Sequence, residues 1–97
     1  MISRYILTKS AENDIDDIVT YIIQDNANAA YDFIDALYDS FELLCDNPFM
    51  GHTREDITKH PIRFWAFKWH YLVVYLPDDP LKIVRVLSGF RDLSKLV

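Results

Sequence analysis

An apolar stretch near the end of the chain, residues 81–93, constrains the fold more than any other part of the sequence. Branched residues dominate its first half, and apolar side chains point to both sides of it. This pattern is typical of a β-strand that is buried on both faces. A central strand needs partners from earlier in the chain, and we expect two from residues 62–76 and a third from residues 4–8. The helices between them must then cover one face of the sheet.

Two amphipathic helices are predicted between the first strand and the later ones. Apolar residues recur at helical spacing over residues 11–23 and again over residues 30–44, so each helix has one apolar face. Thr8 or Ser10 can cap the first helix and Asn26 the second, because their side chains accept hydrogen bonds from free backbone N–H groups. The very short link between the helices predicts an antiparallel hairpin.

The later part of the sequence predicts three consecutive strands. Residues 62–67 and 70–76 are rich in aromatic and branched residues, and a tight reversal at Lys68-Trp69 separates them. A turn at residues 77–80 precedes the central strand, so the three strands should form an antiparallel meander. The predicted order is β-α-α-β-β-β, and the class is α+β. We expect a single domain over residues 1–97, with a helical hairpin packed on a small antiparallel sheet and a short C-terminal helix or tail.

The composition points to the cytoplasm. Cys45 is the only cysteine, which excludes an internal disulfide and fits a reducing compartment. No signal peptide is visible, and no apolar run approaches the roughly 20 residues of a membrane span. We therefore expect a cytoplasmic protein.

The net charge of −5 conceals two halves of opposite sign. Residues 1–50 hold two basic and ten acidic residues, a net charge of −8. Residues 51–97 hold eight basic and five acidic residues, a net charge of +3. The split indicates either two surfaces with different partners or simply solvated helix faces. Tight direct binding to a nucleic-acid duplex is disfavoured, because such proteins usually carry a basic surplus.

The chain shows none of the common catalytic or metal-binding motifs. It has no phosphate loop, no CxxC, no HExxH and no GxSxG, and its three histidines lack the spacing of metal ligands. We predict no metal site, no cofactor and no catalytic residue. Arginines and aromatic residues interleave in residues 51–97, as in protein interfaces and RNA-binding surfaces, but also as in an ordinary core with surface charge. Arg85 lies mid-strand and needs a partner, for which an acid on a helix is favoured over a contact to a target.

An ordered set of residues runs along nearly the whole chain. Its first part comprises Leu7-Thr8, Ala11, Asp14-Ile15, Ile18, Tyr21-Ile22, Asn26, Ala29-Ala30, Phe33 and Leu37. Its second part comprises Asn47-Pro48, Met50-Gly51, Arg54, Arg63-Phe64, residues 71–75, residues 83–87 and residues 89–93. This set resembles the ParE branch of the RelE/ParE toxin superfamily.

The resemblance implies a fold and a biological role. The family fold is a helical hairpin on a small antiparallel sheet, and its members are toxins of type II toxin–antitoxin modules. A cognate antitoxin, here expected to be ParD-like with a ribbon-helix-helix DNA-binding part, wraps the toxin with its C-terminal segment. ParE-like toxins inhibit DNA gyrase, whereas RelE-like toxins cleave mRNA on the ribosome.

Gyrase inhibition, a binding function without catalysis, is favoured over RNA cleavage. RelE-like nucleases carry a basic residue in the strand corresponding to residues 71–75, where this chain has Leu72, and a Tyr or His near the C-terminus, which residues 94–97 lack. Such a nuclease needs groups that activate the 2′-hydroxyl and protonate the leaving oxygen. A ribosome-dependent endoribonuclease and a degenerate toxin that binds only its antitoxin remain alternatives.

Two sets of residues are predicted to contact partners. Because Gly89 ends the central strand, a cationic and aromatic group should emerge at one end of the sheet and bind the target: Arg91 first, with Phe90 and Lys95 in support. Arg63 is added as a further target contact because of the similar composition of its surroundings. Aromatic residues beyond the apolar faces of the helices suit a wrapping antitoxin segment: Tyr21, Tyr31 and Tyr38.

Overall fold

A computed structural model of the chain describes residues 4–56, 58–68 and 70–89. It contains two helices and four strands in the predicted order β-α-α-β-β-β, which confirms the α+β class. The elements are β1 (Tyr5–Leu7), α1 (Lys9–Asp25), α2 (Ala27–Asp46), β2 (Arg63–Phe67), β3 (Tyr71–Leu76) and β4 (Leu81–Ser88). The predicted C-terminal helix or tail lies outside the described residues.

The four strands form one sheet in the order β1-β4-β3-β2, so β4 is central, as its sequence predicts. Strands β2, β3 and β4 form the expected antiparallel meander. The expectation of a purely antiparallel sheet is wrong at β1, which pairs parallel to β4. A strand can run parallel to its neighbour only when a long crossover joins them, and the whole helical hairpin lies between β1 and the meander.

The helix boundaries follow from their capping residues. The Thr8 side chain accepts a hydrogen bond from the Ala11 N–H at 3.1 Å. The Asn26 side chain accepts bonds from the N–H groups of Asn28 and Ala29, so one residue ends α1 and begins α2. Of the two candidates for α1 the cap is Thr8 and not Ser10, and Asn26 is confirmed as the cap of α2. Within the described ranges, neither helix is both long and apolar enough to cross a membrane.

The main core lies between the helical hairpin and one face of the sheet. It combines the apolar face of α2 with residues of β2, β3 and β4, and its largest fully buried members include Phe33, Leu37, Phe41, Tyr75 and Ile83. A second cluster occupies the opposite face of the sheet: Ile62, Phe64, Leu72, Val74 and Leu87. Strand β4 contributes to both clusters, which confirms the prediction that it is buried on both faces.

The start of α1 continues the edge of the sheet where β1 ends. The Thr8 hydroxyl donates to the Val84 carbonyl at 2.8 Å, and the Val86 N–H donates to an Asp14 carboxylate oxygen at 3.0 Å. A β-bulge leaves Val84 without a partner on β3, because Val74 pairs with Arg85 and Tyr75 with Ile83. The side chains of Thr8, which caps α1, and of Asp14 within α1 therefore satisfy backbone groups of β4 that would otherwise need another strand.

The connection from α2 to β2 is held by Tyr75, which is fully buried. Its hydroxyl donates to the Pro48 carbonyl at 2.8 Å and accepts from the Gly51 N–H at 2.9 Å. Only a glycine allows this approach, because a Cβ atom at position 51 would lie 2.6 Å from the Tyr75 oxygen. Further on, His52 and Phe64 exchange two backbone hydrogen bonds, which extends the sheet beyond β2.

Candidate functional site

The exposed side of α2 carries two of the three tyrosines that the sequence predicts to contact an antitoxin. Tyr31 and Tyr38 are seven residues apart and therefore lie on the same side of the helix. They are 66% and 39% exposed. Asp35 and Glu42 follow them at spacings of four residues, so the four side chains alternate along one line. We call this line the tyrosine stripe: Tyr31, Asp35, Tyr38 and Glu42.

The C-terminal half of the tyrosine stripe packs against the main core through Tyr38. The Tyr38 ring packs edge-on against the buried Phe41 ring, with centroids 5.5 Å apart. The Phe41 ring in turn packs against the Tyr5 ring of β1, with ring centroids 5.0 Å apart. The Tyr38 ring is therefore held in one orientation while part of it remains accessible, which suits a binding surface.

The third predicted tyrosine, Tyr21, belongs to α1 and is 78% exposed. Burial is the main cause that raises the pKa of Tyr71, at the start of β3, with a smaller electrostatic contribution from Tyr21. The structure thus brings Tyr31 and Tyr38 onto one helix face and places Tyr21 on the other helix.

The tyrosine stripe ends in an ion-pair cluster that the sequence did not reveal. The Arg4 guanidinium, from the residue before β1, donates to Glu42 at 2.8 Å and also to Asp46. These partners are 38 and 42 positions away in sequence. No local pattern marks such a contact, since it depends on how α2 crosses β1.

Arg85 has the structural partner that the sequence favours. Its guanidinium donates two hydrogen bonds to the Asp14 carboxylate of α1, at 2.7 and 2.8 Å. The side chains of Arg85 and Asp14 are 23% and 14% exposed. The pair is largely withdrawn from solvent, and it joins α1 to the central strand.

Arg63, predicted to contact the target, lies at the start of β2 and holds the connection after α2. Its guanidinium donates to the carbonyls of Phe49 and Gly51 at 3.2 and 2.7 Å, and it lies 5.1 Å from the centre of the Phe49 ring. Arg63 pairs with Tyr75, whereas the opposite end of β2 faces Tyr71, the residue that pairs with Ser88. Arg63 is therefore remote from the point where the chain leaves β4.

The other predicted target contacts, Phe90, Arg91 and Lys95, lie outside the described residues. Gly89 is the last described residue, and its φ of +92° is in the region that favours glycine. A Cβ atom at this position would lie 3.5 Å from the His70 carbonyl oxygen. The chain therefore leaves β4 beside the β2–β3 turn.

Four buried or partly buried groups, one thiol and three tyrosine hydroxyls, have raised pKa values and keep their protons at neutral pH. Burial raises the pKa of the Cys45 thiol, and it also raises the pKa values of Tyr5, Tyr71 and Tyr75. Among residues 4–56, 58–68 and 70–89, no three His, Cys, Asp or Glu side chains gather in a way that could hold a metal ion. The prominent feature of the described surface is the line of tyrosines and acids on α2, whose chemistry suits binding.

Comparisons with known proteins agree with this architecture. Residues 5–93 match the family described as the ParE toxin of type II toxin–antitoxin system, parDE. A comparison with curated protein sequences gave no significant match. Among solved structures, a chain of the chromosomal ParDE TA system from P. aeruginosa has a TM-score of 0.68 and 17% sequence identity. The alignment covers 91% of this chain and 100% of that chain, which shows a shared fold.

Proposed function

The chain belongs to the ParE toxin family of type II toxin–antitoxin systems, and we propose that it inhibits DNA gyrase and is neutralised by a ParD-like antitoxin. The observation that carries the proposal is the family match, which extends over residues 5–93 and thus nearly the whole chain. Gyrase and antitoxin are both cytoplasmic in this proposal, so the toxin acts in the cytoplasm.

Binding without catalysis is favoured over RNA cleavage by the surroundings of β3. Leu72 stands where RelE-like nucleases place a basic residue, and it is only 4% exposed within the cluster on the second sheet face. A catalytic group must reach its substrate. Neither the type of side chain nor its burial at this position suits a nuclease.

The antitoxin is proposed to cover the helical hairpin and to contact Tyr21, Tyr31 and Tyr38. Exposed aromatic residues are typical anchors of protein interfaces. A ribbon-helix-helix part of the antitoxin would bind operator DNA, while its C-terminal segment holds the toxin.

The antitoxin contact is tested by the double variant Tyr31→Ala/Tyr38→Ala. We expect calorimetry to show at least a tenfold weaker affinity for the antitoxin, since truncation of an interface anchor costs more than about 1–2 kcal/mol. Ile6→Ala, which truncates an exposed residue on β1, is the matched control. An unchanged affinity of the double variant would contradict this contact.

The target is tested by a gyrase supercoiling assay run beside ribosome-dependent cleavage of an mRNA. We expect the purified toxin to block supercoiling and to leave the mRNA intact. Arg91 is the first proposed target contact, with Phe90 and Lys95 in support. Arg91→Ala should abolish growth arrest while antitoxin binding and the melting curve stay nearly unchanged. Arg54→Ala is the matched control, because Arg54 bonds the neighbouring Asp56 at 3.0 Å.

Two other results of these assays would contradict the gyrase proposal, and each points to a different alternative. Cleavage of mRNA with normal supercoiling would assign the chain to the RelE-like nucleases. Neither activity, in a protein shown to be folded by circular dichroism, would indicate a degenerate toxin that binds only its antitoxin.

A further inference from the structure

The tyrosine stripe lies in a surface of unbalanced negative charge. The two helices hold ten carboxylates and a single basic residue, Lys9. Four of the ten carboxylates contact a cation: Glu12, Asp14, Glu42 and Asp46. The other six are exposed and have no ion-pair partner in the described part of the chain: Asp16, Asp17, Asp25, Asp32, Asp35 and Asp39.

Three of these six carboxylates flank the exposed tyrosines. Asp35 lies on the tyrosine stripe between Tyr31 and Tyr38, and Asp32 and Asp39 each follow one tyrosine directly in sequence. Exposed aromatic rings alternate here with carboxylates over nearly three helical turns. Such a helix face can bind a cation by two interactions: ion pairs with the carboxylates and cation–π contacts with the tyrosine rings.

Arg4 shows how the tyrosine stripe receives a cationic side chain. Its guanidinium reaches α2 from the residue before β1 and bonds Glu42, the last residue of the tyrosine stripe, together with Asp46 one turn further on. Asp35 and Asp39 have the same four-residue spacing as Glu42 and Asp46, but no arginine of the described residues binds Asp35. On this helix face, one acidic position is therefore bound by an arginine of the toxin itself, and the other is available to a cation of a partner.

From this arrangement we infer that the partner segment which covers the tyrosine stripe is cationic and amphipathic, with arginine or lysine opposite Asp32, Asp35 and Asp39 and an apolar side chain between the tyrosines. The inference rests on the proposed function, in which this segment belongs to the antitoxin. An acidic partner segment would be repelled from this helix face, because its carboxylates would lie beside toxin carboxylates that have no ion-pair partner in the described residues. The same repulsion makes the toxin select its own antitoxin against acidic ones.

Binding kinetics with the protein encoded by the gene next to the toxin gene test the inference. The association rate should fall at least roughly tenfold between 50 and 500 mM salt, because salt screens attraction between exposed charges. The triple variant Asp32→Asn/Asp35→Asn/Asp39→Asn should slow association by about tenfold at low salt. The matched control is Glu55→Gln/Asp78→Asn/Asp79→Asn, which removes three exposed negative charges outside the helices and should change the rate by less than about threefold.

Different results overturn different parts of the inference. Tight binding that does not respond to salt or to the triple variant would overturn the cationic partner and leave the antitoxin intact. Faster association of the triple variant would show that the partner segment is acidic, and this result too would overturn the proposed cationic partner. A toxin dimer in light scattering that the triple variant abolishes would assign the face to a second copy. If the neighbouring gene product does not bind at any salt concentration, the antitoxin proposal itself fails.

Discussion

The Asp14 carboxylate and the Arg85 guanidinium are joined by two hydrogen bonds across the edge of the central strand, although 71 positions separate the residues in sequence. One of the same carboxylate oxygens also accepts the Val86 N–H at 3.0 Å. Asp14 therefore performs two tasks, since it neutralises a largely buried cation and replaces a strand neighbour. The attachment of α1 to the sheet depends on this residue.

Replacement of Asp14 should lower the stability of the fold markedly. We expect Asp14→Ala to reduce the free energy of unfolding by about 2–3 kcal/mol, because it removes two hydrogen bonds from a largely buried guanidinium and one from a backbone N–H. Urea denaturation measures the loss. Asp17→Ala, an exposed acid on the same helix, should change stability by less than about 0.5 kcal/mol. Equal effects of the two substitutions would contradict the assigned role.

Leu37 tests the packing of α2 on the sheet. Its side chain is completely buried in the main core. Leu37→Ala should lower the free energy of unfolding by about 2–5 kcal/mol, because it removes buried apolar surface and leaves a cavity. Leu43→Ala on the same helix is the control, since Leu43 is 42% exposed. A loss below about 0.5 kcal/mol for Leu37→Ala in denaturant melts would refute the predicted core.

The approach of Tyr75 to Gly51 predicts a coupled pair of substitutions. Gly51→Ala should destabilise the protein by about 1–3 kcal/mol, because the new methyl group would lie 2.6 Å from the Tyr75 hydroxyl oxygen. In a Tyr75→Phe background this oxygen is absent, so Gly51→Ala should cost less there. Thermal melts of the two single variants and the double variant measure the coupling. Strictly additive losses would show that the Tyr75 hydroxyl oxygen does not contribute to the crowding at position 51, where the Tyr75 ring carbon at 2.8 Å remains in both backgrounds.

Burial of Tyr75 makes the stability depend on alkaline pH. Burial raises the pKa of Tyr75 above its ordinary value of 10.0, against the smaller opposing effects of the Gly51 N–H and the Arg63 charge. The unfolded chain therefore loses this proton first as the pH rises. The stabilising contribution is complete below pH 10 and declines as the pH rises through the folded-state pKa. Tyr75→Phe should weaken this decline in urea titrations at pH 8 and above pH 10, and an unchanged decline would contradict the role assigned to Tyr75.

Much of the fold could be predicted because its signals are local. The apolar periods of α1 and α2, the caps Thr8 and Asn26, and the run of branched residues in β4 each act within a few positions of the chain. These signals yielded the element order and the central place of β4. They did not reveal the direction of β1, because a three-residue strand carries no mark that distinguishes parallel from antiparallel pairing.

The candidate site was less accessible to prediction. Helical spacing alone places Tyr31 and Tyr38 on one line and predicts their exposure beyond the apolar face. The role of Arg63 as a target contact stays a prediction, and the sequence did not reveal that its guanidinium bonds the carbonyls of Phe49 and Gly51. Charge and residue type do not distinguish a cation that holds a loop from one that faces a partner.

The sequence by itself thus determined which segments form helices and strands, that the helices pack on one face, and that Arg85 requires an acid. Only the tertiary structure decided that this acid is Asp14, that Arg4 closes the end of the tyrosine stripe, and that Tyr75 holds the connection at Gly51. The physical reason is distance along the chain. Local preferences act over about one or two helical turns or a single strand. Partners 24 to 71 positions apart meet only once strand register and helix packing have brought them together.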